Sequence, residues 1–331
     1  STNLVEIVVL IGMTFCYAGS DSKLGCDKLD KLTKYFLIYH WVNYGLLLNS
    51  ILVIALFGKF IFKNEDGQYF NCIDGLTGLE EANNNSWFKS SKLSPFVCRL
   101  SNASFEFQNK VYTTGKSFSG AHALHGLIYD APFHITAQQA TDKFASVTLE
   151  YSWLGNAGFP FSYHIAVIYT LSAANQLSIQ TTVTNKAESA MPLADGWHPY
   201  FNMQAPADDC CIEMEVVGKI KMNDQLIPTG HIINASPYNG QLPLKEQHFD
   251  DCFMLSEANR ICTVQGPYYQ VTIHAVENYP YLQIFTPDHR QSIAIENLSS
   301  VPDAFNNGLG LILLEPDQSK NFHTTYSVHC K

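Results

Sequence analysis

From about residue 90 onward, apolar and polar side chains alternate along the sequence with a period of two. Between residues 147 and 153 the apolar side chains are spaced two apart, and Thr148, Glu150 and Ser152 fill the positions between them. Residues 177–184 largely repeat this pattern. Because successive side chains of a β-strand point to opposite faces, the alternation predicts strands with one buried face and one wetter face.

Further predicted strands along the chain indicate an all-β fold. Four further strands are predicted, over residues 163–171, 269–276, 281–285 and 292–296. Turns rich in Gly, Asn and Pro separate these segments, and no amphipathic helices intervene. We therefore expect antiparallel sheets packed as a large β-sandwich, in one domain spanning residues 1–331. Residues 1–43 show no readable pattern, and the acidic stretch 74–85 predicts a short helix or a loop.

Composition limits the classes of partner. Apolar and aromatic residues make up 46% of the chain, enough for a large core, and the formal net charge is −10. Nucleic-acid binding needs clustered Lys and Arg, and no basic run occurs, so a neutral small molecule is the expected partner. The apolar run 46–62 is broken by polar residues and is shorter than a membrane span of about 20 residues. Strands are predicted there, with no membrane association.

Cysteine usage points to a reducing compartment. The nine cysteines are scattered and include no Cys-x-x-Cys pair, which argues against a zinc or redox site. Glu6 interrupts the apolar N-terminal stretch and no basic segment precedes it, so no signal peptide is predicted. We expect reduced thiols and a cytoplasmic location.

Several polar or ionisable side chains stand in apolar or turn contexts, namely Arg99, His125, His198, Asp250 and Glu296. Burial of an unpaired charge is costly, so such residues are candidates for a functional site. The pair His122 and His125 has the spacing of metal ligands. No third ligand lies near that pair in the sequence, so no metal is expected.

Five segments resemble motifs of the aldose 1-epimerase (galactose mutarotase-like) family, in family order. The most specific is Asp195-Gly-Trp-His198-Pro-Tyr-Phe-Asn202, and His122-Ala-Leu-His125-Gly126 is similar to the family's Leu-His-Gly motif. Residues 92–112 resemble the region with a sugar-binding arginine, and Phe249-Asp250-Asp251 resembles the sugar-binding aspartate loop. Residues 292–316 resemble the C-terminal block with the catalytic glutamate. Together the resemblance covers about residues 44–331.

The resemblance implies a galactose mutarotase-like supersandwich and an aldose mutarotase, which interconverts the α and β anomers of a free aldohexose such as glucose or galactose. It implies that Glu296 is the base and His198 the acid, and that the two flank the sugar. No metal or organic cofactor is implied.

The same resemblance implies that Arg99 and His125 hydrogen-bond sugar oxygens and that Asp250 accepts from the far hydroxyls. The choice of Asp250 over Asp251 rests on register alone. Trp197 and Phe201 are interpreted either as an apolar wall for the sugar or as core residues.

Departures from the family pattern leave the identity of the preferred sugar undetermined. Cys98 stands where galactose-type members often have Asn, and Leu127 replaces a frequent glycine. A hexose-6-phosphate mutarotase would need basic residues at the site, and Arg99 is the evident one. A non-catalytic sugar-binding protein and a glycoside hydrolase using Asp250 and Glu296 are further alternatives. The sequence leaves the oligomeric state undetermined between a monomer and a homodimer.

Overall fold

The computed structural model describes residues 8–11, 53–54, 57–64, 66–76, 81, 85–172 and 174–331. The expectations for most of residues 1–43, for residues 46–52 and for much of 74–85 lie outside the described residues. Within the described part, antiparallel strands dominate, which confirms the predicted all-β fold. None of the helices in these ranges is long and apolar enough to cross a bilayer.

Among the described residues, the larger sheet has ten strands. In spatial order they are β2 (Val53–Ile54), β11 (Pro132–Ala140), β12 (Phe144–Trp153), β13 (Tyr163–Ser172), β14 (Gln176–Asn185), β28 (Ser319–Cys330), β24 (Tyr269–Glu277), β23 (Ile261–Gln265), β18 (Cys211–Met214) and β21 (Gly240–Pro243). Strand β13 alternates strictly between buried and half-buried positions, as its sequence predicts. One face of this sheet is therefore core and the other is wetter.

The smaller sheet has eight strands in the described ranges. Its path is β20 (Pro228–Ile233), β19 (Val216–Met222), β22 (Asp250–Leu255), β25 (Tyr281–Phe285), β26 (Ile293–Leu298), β16 (Gly196–His198) and β5 (Ser91–Leu93), and β17 (Tyr200–Phe201) pairs with β26. All six residues of β26 are buried. Both faces of this strand are thus covered, so its polar residues need partners within the protein.

Contacts between the inner faces of the two sheets form the core. The ring of Tyr169 on β13 meets that of Trp197 on β16 edge to face, with centroids 5.9 Å apart. Thr324 on β28 donates its hydroxyl to Asn297 Oδ1 on β26 at 2.7 Å. The sandwich therefore has an apolar interior with a few hydrogen-bonded polar groups.

Short strands and a four-residue α-helix adjoin the two large sheets in the described part of the chain. They are β1 (Val8–Ile11) with β3 (Phe57–Lys63) and β4 (Tyr69–Asn71), β6 (Arg99–Leu100) with β10 (His122–Leu124) and β9 (Ser117–Ser119), β7 (Ser104–Phe107) with β8 (Lys110–Thr113), β15 (Met191–Leu193) with β27 (Ile312–Leu314), and the helix α1 (Ala304–Asn307). The sheet formed by β6, β10 and β9 contributes to the candidate site.

Candidate active site

A carboxyl group and an imidazole meet on neighbouring strands of the smaller sheet. Strand β16 pairs with β26 through Gly196 and Leu298, and two residues further along each strand lie His198 and Glu296. His198 Nε2 is 3.4 Å from Glu296 Oε1. Both side chains are buried. The two groups lie side by side on adjacent strands, on one wall of the cavity.

Glycine allows the two strands to approach at this pairing. A Cβ added at Gly196 would lie 2.7 Å from Leu298 Cδ2 and 3.1 Å from the Asn297 carbonyl oxygen. Such distances are too short for ordinary contacts, so only glycine fits without a shift. The glycine two positions before His198 therefore helps to set the distance between the imidazole and the carboxyl group.

A tight backbone turn brings His125 to the same place. Strand β10 ends at Leu124, and His125 and Gly126 both adopt left-handed backbone angles, with φ of 57° and 80°. The His125 amide donates to the Cys98 carbonyl oxygen at 2.8 Å. The imidazole ring then lies 5.0 Å from that of His198, centroid to centroid, in an edge-to-face contact.

The remaining predicted site residues complete the cavity. Arg99 lies on β6 and Asp250 begins β22, and both line the same space as His198, His125 and Glu296. The cavity has a volume of about 180 Å³. The structure thus brings together all five side chains that the sequence singled out, from five separate regions of the chain.

Several lining residues had not been singled out as site residues in the sequence. They are Ser86, Trp87, Phe88, Cys98, Leu124, Tyr200, Gln283 and Phe285. Gln283 is the most informative, because it lies opposite Glu296 in the β25–β26 pairing and donates to Asp250 Oδ1 at 2.7 Å. A polar residue within the apolar strand Tyr-Leu-Gln-Ile-Phe was the available signal.

Burial shifts the pKa values of Glu296 and His198 in opposite directions. Burial raises the pKa of Glu296 well above its usual value, and the negative charge of Asp250 raises it further, while the Cys98 thiol at 3.9 Å opposes the shift. Burial also lowers the pKa of His198 to about 4. These opposite shifts favour the carboxyl group over the imidazole as the holder of a proton that the two groups share.

Burial also shifts the pKa values of His125 and Asp250. Burial lowers the pKa of His125 well below its usual value, so its ring is neutral at neutral pH. Burial also raises the pKa of Asp250, although the positive charge of Arg99 opposes that change. The cavity therefore combines a neutral His125 ring and the Arg99 guanidinium with two carboxyl groups whose pKa values are raised by burial.

Three potential metal ligands converge in the cavity. One ligand atom from each of His125, His198 and Glu296 lies within 4.8 Å of the others. A metal-bound histidine usually donates its second ring nitrogen to an acceptor, whereas His198 Nδ1 is buried without a hydrogen-bond partner among the described residues. The donor set therefore fits an acid–base pair better than a resident metal. His122 lies outside this group, and its Nδ1 accepts from the Asn102 amide.

A second buried charged group supports the wall behind His198. Lys92 on β5 pairs with Asp195, and Tyr279 donates its hydroxyl to the same carboxylate oxygen at 2.6 Å. The Lys92 ammonium also lies 4.4 Å from the ring centroid of Trp197. Trp197 and Phe201 are both core residues, which decides between the two interpretations of these side chains.

Known proteins resemble this chain in sequence. The family model described as Aldose 1-epimerase matches residues 60–327. The uncharacterized protein YihR of Escherichia coli K12 is 26% identical over 230 residues, which is 67% of this chain and 73% of YihR. An aldose 1-epimerase of Haemophilus influenzae is 20% identical over 223 residues, which is 61% of this chain and 64% of the relative.

Solved structures share the fold. The GalM/aldose epimerase homologue from C. elegans matches with a TM-score of 0.74 at 18% identity, over 85% of this chain and 95% of that one. At this identity the similarity concerns the fold. It confirms the galactose mutarotase-like sandwich that the sequence motifs imply.

Proposed function

The chain belongs to the aldose 1-epimerase family, and on that basis we propose that it is an aldose mutarotase acting on a free aldohexose such as glucose or galactose. The observation that carries the proposal is the contact between Glu296 and His198, 3.4 Å apart and buried in a sugar-sized cavity. General acid–base catalysis needs both a proton donor and a proton acceptor at the reacting atoms.

The side-by-side arrangement of this pair suits mutarotation. Ring opening removes a proton from the anomeric hydroxyl and adds one to the ring oxygen, and both oxygens are bonded to the same carbon. Two adjacent groups on one wall can therefore reach both atoms. Rotation about the C1–C2 bond then exposes the other face of the carbonyl, and the same two groups reverse their roles as the ring closes.

The pKa shifts of Glu296 and His198 bear on the order of the proton transfers. The family resemblance assigns Glu296 as base and His198 as acid. Because burial raises the pKa of Glu296 and lowers that of His198, the shifts favour the opposite order: His198 accepts from the anomeric hydroxyl and Glu296 donates to the ring oxygen. Because the groups exchange roles between opening and closing, each acts as donor and as acceptor within one cycle.

The other cavity residues have binding roles in this proposal. Arg99 and the neutral ring of His125 hydrogen-bond sugar oxygens and stabilise charge on the open-chain carbonyl. Asp250, held by Gln283, accepts from hydroxyls far from the anomeric centre. These contacts orient the sugar so that its anomeric carbon faces the acid–base pair.

The lining of the cavity favours a neutral sugar over a phosphorylated one. Arg99 is the cationic side chain among the lining residues, and it shares the space with Asp250 and Glu296. A phosphate group is usually bound by several cationic or amide donors. A phosphorylated hexose would therefore meet two carboxyl groups and one guanidinium, which is a poor match.

Polarimetry tests the proposal directly. Freshly dissolved α-glucose and α-galactose should reach equilibrium faster with the protein, and Glu296→Gln should lower the catalysed rate by roughly 10²- to 10⁴-fold. Glu257→Gln, a change at an exposed glutamate outside the cavity, is the matched control and should retain the rate. Equal decay with and without protein would contradict the proposal. Sugar binding without acceleration would indicate a non-catalytic sugar-binding protein.

A further inference from the structure

The carboxyl group of Glu296 has a thiol beside one oxygen and an imidazole beside the other. Cys98 Sγ lies 3.9 Å from Glu296 Oε2, whereas His198 Nε2 lies 3.4 Å from Oε1. Cys98 is buried, and it lines the cavity together with both of these residues. The two oxygens of the carboxyl group are therefore in different chemical surroundings, which gives them different possible roles.

The backbone of Cys98 has an unusual conformation. Its φ is 48°, a left-handed value that residues other than glycine rarely adopt. Its carbonyl oxygen accepts from the His125 amide at 2.8 Å, one step beyond the pairing of Arg99 with Leu124. Such backbone strain persists only where the surrounding structure imposes it, and it is common at functional sites. Cys98 thus connects the turn that carries His125 to the Glu296 carboxyl group.

The segment that leads to Cys98 is fixed from two sides. The Leu127 amide donates to the Ser94 carbonyl oxygen at 2.8 Å, and the Ala194 amide donates to the Pro95 carbonyl oxygen at 2.6 Å. These bonds attach the segment to the chain just after His125 and to the chain just before β16. The thiol is therefore presented to Glu296 from a well-supported backbone, which a group that positions another side chain requires.

The thiol is the donor in its contact with Glu296. Burial raises the pKa of Cys98 well above its usual value, and the negative charge of Glu296 raises it further, although the positive charge of Arg99 opposes the change. The thiol therefore keeps its proton at neutral pH and can donate to a carboxylate oxygen. Because a thiol is a weak donor, it can orient the carboxyl group while lowering the pKa of that group only slightly.

We propose that Cys98 is a positioning residue for Glu296: its thiol donates to Oε2 and thereby directs Oε1, the oxygen beside His198, toward the reacting oxygens of the sugar. This inference rests on the proposed mutarotase function. Proton exchange then uses a single carboxyl oxygen, next to the imidazole that completes the acid–base pair. The other titratable groups around Glu296 are His198, His125, Arg99, Tyr200, Asp250 and Cys252. The thiol therefore has to be changed with those groups left in place.

Polarimetric pH profiles test the role of the thiol. Cys98→Ala should lower kcat about 3- to 10-fold and change KM less than about twofold, because the variant keeps the groups that bind the sugar. Loss of the donor leaves the carboxylate less stabilised, so the alkaline limb should move about 0.5–1 pH unit upward. Cys98→Ser keeps a donor and should recover most of kcat. Cys262→Ala removes a buried thiol of β23 outside the cavity lining and should retain both kcat and the limb.

Infrared spectroscopy tests the contact without sugar or turnover. The difference spectrum between the wild type and Cys98→Ser identifies the S–H stretching band of Cys98. This band should move to lower frequency as Glu296 loses its proton, and it should not move with pH in Glu296→Gln. If the band behaves in this way but neither glucose nor galactose is accelerated, the mutarotase function fails and the positioning of Glu296 stands. If the wild-type band does not respond to pH, or if Cys98→Ala retains kcat and the alkaline limb, the positioning role is wrong.

Discussion

Removing the ammonium of the buried Lys92–Asp195 pair should strongly destabilise the protein. Both side chains are fully buried, and Lys92→Met keeps the apolar stem while deleting the charge. The Asp195 carboxylate would keep the 2.6 Å hydrogen bond from Tyr279, but its second oxygen already has no partner among the described residues. The variant therefore leaves a carboxylate in the core without a counter-charge.

The expected loss is about 3–5 kcal/mol of unfolding free energy, the usual cost of removing one partner of a buried ion pair. Its size should depend on pH. Burial raises the pKa of Asp195 above its unfolded value, and Lys92 opposes that shift in the wild type. Without the ammonium the folded pKa rises further, so the deficit shrinks as the pH falls through that pKa toward about 4. It also shrinks above about pH 8, because burial lowers the pKa of Lys92 to about 8 and the wild type loses the ammonium there as well.

Urea unfolding followed by both fluorescence and circular dichroism provides the measurement, with coincident transitions as the test of two-state behaviour. The double variant Lys92→Met/Asp195→Asn removes both charges while leaving an acceptor for Tyr279. It should be more stable than Lys92→Met alone, with a coupling of at least about 2 kcal/mol. A loss below about 1 kcal/mol for Lys92→Met, or strict additivity in the double variant, would refute the reasoning.

Three further predictions concern the site. The activity should have a bell-shaped dependence on pH. It should fall below about pH 4, where His198 becomes protonated, and above the raised pKa of Glu296, where that carboxyl group loses its proton. An acid limb near pH 6.5 would contradict this. Gly126→Ala should cost about 1–3 kcal/mol more than Gly120→Ala, because both have positive φ but a Cβ at Gly126 would lie 2.3 Å from a backbone carbonyl oxygen. Thermal unfolding compares the two. Asp250→Asn should raise KM for glucose roughly tenfold with less effect on kcat, since charged hydrogen bonds contribute about 1.5–3 kcal/mol. An unchanged KM in polarimetric saturation curves would exclude the binding role.

Much of the fold was predictable because strand periodicity is local. The alternation within β12, β13 and β14 needs only neighbouring residues, and the structure has strands there with the expected buried positions. Strand β26 differs, because both of its faces are buried and alternation disappears. A polar residue on such a strand, Glu296, is conspicuous in the sequence for that reason.

The sequence by itself determined the strand pattern, the sandwich class and the residue types of the site, because these follow from side-chain chemistry at fixed local spacing. Only the tertiary structure decided that Glu296 and His198 are in contact on one wall of the cavity, that Gln283 lies beside them and that Trp87 lines the same cavity. These relations depend on which strands pair and in what register, and register joins residues far apart in the chain. The opposite pKa shifts of Glu296 and His198 are likewise tertiary properties, because they come from removing water around both groups.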